Sequence, residues 1–167
     1  MIALFAALAF AAPPIDGTFQ PSISQAEIDA RLTTAITDAS MQFNWAIRGI
    51  ARGRIEDQAN ACATLKFFNS ATHTGVKCDA KNAIVRLNDN SEGAFDSEGR
   101  QVTSVVRVRD AAVDIDWVTD SGTRKTSYIF HGDDSFDLTV AVTSSQMTTP
   151  MTFTIPYSRT ATASGLQ

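Results

Sequence analysis

Between Gln101 and Arg159 apolar and polar residues alternate almost without interruption. Val102, Val106 and Val108 alternate with Thr103, Val105, Arg107 and Arg109, and Val113, Ile115 and Trp117 alternate with Asp114, Asp116 and Val118. The same rhythm returns in Thr126, Tyr128 and Phe130, in Phe136, Leu138, Val140 and Val142, and in Met151, Phe153, Ile155 and Tyr157. A period of two turns one face of each strand to a core and the other to water. Asp120-Ser121-Gly122 and Gly132-Asp133-Asp134 are turns short enough to make their flanking strands antiparallel neighbours. Ala63 to Phe68, Val76 to Asp79 and Ala83 to Leu87 predict shorter strands upstream, and Asn88 to Arg100 reads as a long exposed loop.

The period changes between Ser24 and Arg52. Ser24 and Glu27 have the spacing of a capping box, with Ile23 and Ile28 placed as a hydrophobic staple. Ile28, Leu32, Ile36, Ala39, Phe43, Ile47 and Ile50 follow at steps of three and four, one face of a helix. Unbroken, that helix would be about 43 Å long, and Ser40 and Gly49 are its weak points.

Helix and sheet each present one apolar face and bury it against the other. The fold class is therefore α+β: a long N-terminal amphipathic helix packed on a strongly curved, mostly antiparallel, barrel-like meander of about seven strands. The inward stripe Ile28, Leu32, Ile36, Phe43 and Ile47 is expected to meet Trp117, Tyr128, Phe130, Leu138 and Phe153. Pro156 lacks an N–H and cannot donate to a ladder, so its strand is expected to be an edge there. The domain organisation is a signal peptide at 1–11, a linker at 12–23, one domain at 24–159 and a disordered tail at 160–167.

Composition narrows the role. Met1 to Ala12 is continuously apolar, too short to span a bilayer, and Ala9-Phe10-Ala11 has the small-x-small form of a cleavage site. The reading is an exported, periplasmic or secreted protein with no membrane span in the mature chain. Cys62 and Cys78 are the two cysteines, an even pair that such a compartment would oxidise to a disulfide. A net charge of −4 and a pI near 5.0 exclude nucleic acid as a general partner.

Candidate chemistry is sparse. Asn88 to Gly93 has alternating oxygen ligands, but Gly99 stands where a calcium loop needs its twelfth-position Glu. His73 and His131 have no Cys or second His at ligand spacing, so neither a metal nor a cofactor is expected. Asp114 and Asp116 share the face opposite Trp117 and are expected to be wet and ordinary. No nucleophile elbow, phosphate loop or dinucleotide fingerprint occurs, and an enzyme is the least favoured class. Arg48 and Arg52, one helical turn apart beside Trp45, could grip a carboxylate or phosphate on a lipid or protein, although the negative helix end alone accounts for their position.

An apolar-led N-terminus followed by a meander with apolar inward faces resembles the lipocalin-like barrels and, less closely, the open barrel of bacterial lipoprotein carriers. The resemblance covers Ala63 to Arg159, and the lipocalin Gly-x-Trp is absent. It implies an apolar ligand inside the sheet. The functional expectation is a small envelope protein that binds an apolar small molecule or lipid against Trp117, Tyr128, Phe130, Phe153 and Tyr157. The alternative is a structural module with a filled core that works through an envelope protein partner.

Overall fold

The computed structural model of the protein describes residues 16–69, 74–78, 83–86, 94–95, 101–109, 111–119 and 122–161. Among them the chain runs β1 (Gly17–Pro21), α1 (Gln25–Met41), α2 (Arg48–Gln58), β2 (Leu65–Asn69), β3 (Thr74–Cys78), β4 (Ala83–Arg86), β5 (Ala94–Phe95), β6 (Gln101–Arg109), β7 (Ala112–Thr119), β8 (Gly122–Phe130), β9 (Ser135–Thr143) and β10 (Met151–Ala161). All strands join one ten-stranded sheet in the order β4-β3-β2-β1-β10-β9-β8-β7-β6-β5, and every pairing is antiparallel.

The meander from β6 to β10 follows the alternation. Phe136, Leu138, Val140 and Val142 of β9 are buried, as are Met151, Phe153, Ile155 and Tyr157 of β10. At the β8–β9 turn Gly132 adopts φ +79°, where a side chain would strain the backbone, and His131 N–H bonds Ser135 O at 2.9 Å.

Ring contacts show that the sheet curls. β2 and β8 are separated by β1, β10 and β9, about 19 Å apart if the sheet were flat. Yet the Phe67 and Tyr128 rings lie 5.3 Å apart, and Phe67 and Phe136 lie 5.5 Å apart. The two halves of the sheet therefore face each other across a shared interior. β4 and β5 stand at the ends of the strand order, and no pairing joins them among the described residues.

Several expectations are corrected. The sheet has ten strands rather than about seven, and the segment expected as linker contains β1. Its Phe19 is fully buried, and the strand pairs with both β10 and β2. The expected tail begins inside β10, which continues to Ala161. The signal-peptide residues and the 88–93 loop lie outside the described residues, as do His73 and residues 162–167.

The single long helix is instead a pair. Ser24 caps α1 by accepting from Glu27 N–H, while the Glu27 carboxylate turns to Arg31 at 2.7 Å. α1 stops at Met41 because Gln42 is taken by another part of the chain. Its side-chain oxygen accepts the N–H groups of Thr148 and Thr149 at 2.8 and 3.0 Å, and its amide donates to Thr149 O at 3.1 Å. Asn44 then receives Ala46 N–H at 3.1 Å, a local turn that competes with helix. Ile28 and Ile36 are buried and Leu32 and Phe43 half-buried, but Ile47, expected in the stripe, is 42% exposed.

The strand that carries Pro156 is not an edge strand, because β10 lies between β1 and β9; only the place of Pro156 along it spares the ladder. β10 is paired with β9 along both sides of it, whereas pairing with β1 begins only at Tyr157. Its carbonyl accepts Ser22 N–H at 2.9 Å, so the missing N–H faces the end of β1 and removes no bond to β9.

Candidate functional site

The interior of the curled sheet has two unlike ends. At one, Phe19, Phe67, Phe130, Phe136, Tyr128 and Tyr157 close on one another, with ring centroids 5.1–5.8 Å apart. Phe136 and Tyr157 are stacked, and most of the other pairs meet edge to face, arrangements that suit the ring quadrupoles. The Tyr157 hydroxyl donates to Cys62 O at 2.6 Å. Cys62 is bonded to Cys78 as expected, so the disulfide ties the approach to β2 to the end of β3 beside this cluster.

At the other end the inward row crosses β7, β8, β9 and β10 as Trp117, Arg124, Val142 and Met151. Val142 and Met151 are buried, whereas Trp117 and Arg124 are only partly covered. The loop that joins β9 to β10 is the one that holds Gln42, so the connection between α1 and α2 lies over this same end. Met147 of that loop and Phe43 of the helix connection pack from there against the core.

Arg124 is the residue that sequence reading missed. Parity could have found it, because Arg124 precedes Thr126, Tyr128 and Phe130 by even steps on one strand. Its Nε is buried and has no hydrogen-bond partner among the described residues. Burial pushes its pKa below the usual guanidinium value, and Tyr128 partly offsets this. Burial likewise pushes the Tyr128 phenol up to about 12, against the pull of Arg124. The two side chains therefore feel each other inside the sheet.

The five aromatic residues expected to bind a ligand fall into different settings. Tyr157, Phe130 and Tyr128 belong to the packed aromatic cluster. Phe153 is buried opposite Val140, toward the Arg124 end. Trp117 alone among the five is partly open.

The outer face carries charge in an organised form. Asp114, expected to be wet, is buried beneath Arg109 and accepts from the Ser127 hydroxyl at 2.6 Å. Burial alone would raise its carboxyl, but Ser127, Lys125 and Arg109 together hold it below the usual carboxylate range. Asp116 pairs with Arg107. His131 is exposed and bonds Asp137 at 2.9 Å, a surface pair. No cluster of three or more metal-ligating side chains occurs among the described residues. Arg48 donates to Phe43 O at 3.3 Å and Arg52 pairs with Glu56 at 2.8 Å, so both have protein partners.

Fold and interior together define an antiparallel, barrel-like protein with one packed end and one half-open end. No family model matches the chain, and no curated protein matches it. Among solved structures it is similar to a Schistosoma mansoni fatty acid binding protein in complex with arachidonic acid, at 19% identity over 88% of this chain and 96% of that one, with a TM-score of 0.48. It is also similar to a variant of the fluorescent protein UnaG, at 13% identity over 88% and 96% of the two chains, with a TM-score of 0.47. Likeness at this level says nothing of ligand or role. The barrel-like architecture rests on strand register and ring contacts.

Proposed function

We propose that this protein binds a small apolar molecule bearing an anionic group in the half-open end of its curled sheet. Arg124 carries the reading. An arginine turned into an apolar interior is costly unless its charge and donors are met, and its Nε has no partner among the described residues. An anionic oxygen would supply both the charge and the acceptor. Trp117, Val142, Met151 and Phe153 offer apolar contact around it, and a pocket of mostly apolar walls with one placed polar group suits such a ligand. The Cys62–Cys78 disulfide supports placement in an oxidising compartment, and with it the exported, envelope role.

Displacement of an anilinonaphthalene sulfonate probe tests the reading. Dodecanoate is expected to displace the probe at least about tenfold more effectively than dodecanol, since a hydrogen bond to a charged group contributes about 1.5–3 kcal/mol. Arg124→Met should abolish that preference. Equal displacement by acid and alcohol, or a preference that survives the substitution, would remove the anion from the proposal.

A further inference from the structure

Large apolar side chains are distributed unevenly on the surface. The exposed ones among the described residues are Met41, Trp45, Ile47, Ile50, Val118 and Ile129. Four of these six fall between Met41 and Ile50, at the turn from α1 into α2. Trp45 is 83% exposed, Ile50 66%, Met41 59% and Ile47 42%. Single exposed apolar residues are ordinary, but a local concentration of this kind marks a surface that meets something apolar.

Charge says what kind of surface it meets. From Met41 to Arg54 the chain carries Arg48, Arg52 and Arg54, and the acidic Glu56 and Asp57 follow only at the far end of α2, so the connection is locally basic in a protein whose net charge is −4. Ile50 follows the N-cap residue Ile47 by three and Arg54 follows Ile50 by four, helical steps that keep them on one side of α2. Arg48 lies deeper, against Phe43 O, and Arg52 is exposed but paired with Glu56 at 2.8 Å, so Arg54 leads the exposed charge and Arg52 reaches a partner by exchanging Glu56 for it. Tryptophan and aliphatic side chains beside arginines are the composition that settles at a lipid headgroup boundary. A second copy of the chain fits less well, because a two-fold contact would set these arginines against themselves.

We infer that the α1–α2 connection is a docking surface for an anionic lipid membrane, with Trp45 and Ile50 entering the headgroup layer, Arg54 meeting lipid phosphates and Arg52 exchanging its Glu56 partner for one. The surface lies at the half-open end of the sheet, since Gln42 fastens this connection to the loop between β9 and β10. Docking there would bring lipid to the Arg124 end. The inference rests on the helix connection alone and does not require a bound ligand.

Vesicle flotation of the full chain tests it, with phosphatidylglycerol–phosphatidylcholine mixtures compared with phosphatidylcholine alone. The protein should float with the anionic vesicles, stay behind with the neutral ones, and be released at roughly 0.5 M salt, where exposed charges are screened within a few Å. A Trp45→Ser, Ile50→Ser double variant should lose at least about tenfold in partitioning, and Arg52→Gln with Arg54→Gln a similar amount. Circular dichroism should show these exposed substitutions to be folded, and the single Ile50→Ser variant gives the readout if the double one is not. Failure of the wild type to float overturns the inference, as does equal binding to neutral vesicles or binding indifferent to the Trp45 and Ile50 changes. Sedimentation velocity closes the remaining case: a dimer abolished by the same substitutions, without vesicle binding, would assign the surface to a second copy.

Discussion

At the closed end of the curled sheet, Arg159 gives its guanidinium to the carbonyls of Asp16 and Asp133 and lies over the Phe19 ring, 4.8 Å from its centroid. At the half-open end Arg124 holds the same inward parity on β8, but its buried Nε has no partner among the described residues. The first arginine is part of how the sheet is held shut. The second stands among Trp117, Val142 and Met151 with a donor to spare. Two residues of one chemical type thus separate structure from function by what surrounds them. A saturated inward charge secures an end, whereas the unsaturated one is where the proposed anion would sit.

The contrast breaks most visibly in the aromatic cluster. Phe136 is 1% exposed and touches Phe19, Phe67, Tyr128, Phe130 and Tyr157. Phe136→Ala should destabilise by about 3–5 kcal/mol, read as a lowered denaturant midpoint. Trp117→Ala, at the half-open end, should cost less than half as much. Comparable losses at the two positions would mean that both ends are equally packed.

The disulfide comes next. Cys62→Ser with Cys78→Ser opens a loop with a sequence separation of 16, and chain entropy puts the cost at about 3 kcal/mol. The loss should appear in thermal melts of the variant, and reduction of the wild type should reproduce it. Reduction that leaves the midpoint unmoved would detach the disulfide from the stability of the closed end.

Tyr128 links the ends and gives a pH dependence. Its phenol is raised to about 12 in the folded protein, while an unfolded tyrosine titrates near 10. The stability it contributes is whole below pH ~10, falls as the unfolded chain alone loses the proton, and is gone above pH ~12. The maximum loss is about 2–3 kcal/mol. Tyr128→Phe should lack this alkaline decline, so equal slopes for variant and wild type between those pH values would place the phenol in water.

Arg124→Met should have the smallest effect on stability. Replacing a poorly met buried cation by an apolar side chain should leave stability within about 1 kcal/mol or raise it. Urea melts check this against the loss of anion preference in probe displacement. A large destabilisation would show that Arg124 is a second Arg159, held in place for structure.

Much of this contrast was already in the residue pattern, though unevenly. The period of two and the glycine-bearing turns define β6 to β10, and the paired cysteines are joined as their number suggests. Gly17 to Pro21 reads as a linker because one phenylalanine between a glycine and a proline carries no visible period. Its strand character comes from β2 and β10, far away in sequence. The helix break was similarly hidden. The stripe runs on through Phe43 and Ile47, and the bonds that end α1 come from Thr148 and Thr149. Arg124 was within reach of parity alone, but its lack of a partner is a fact of three-dimensional packing.

The place of β1 has a consequence for biosynthesis. It is the first described strand to leave the ribosome, yet Phe19 pairs with Arg159 and Pro21 with Tyr157, near the other end of the chain. Until β10 emerges, β1 can pair on one side only, with β2, and the curled sheet has no seam. The hairpins of β6 to β9 can form from local contacts while translation continues, but closure must wait for the last strand. A nascent chain stalled before Met151 would expose the waiting edges of β1 and β9 at once, each a template for another chain. Timing of the final strand therefore governs when this protein stops being sticky.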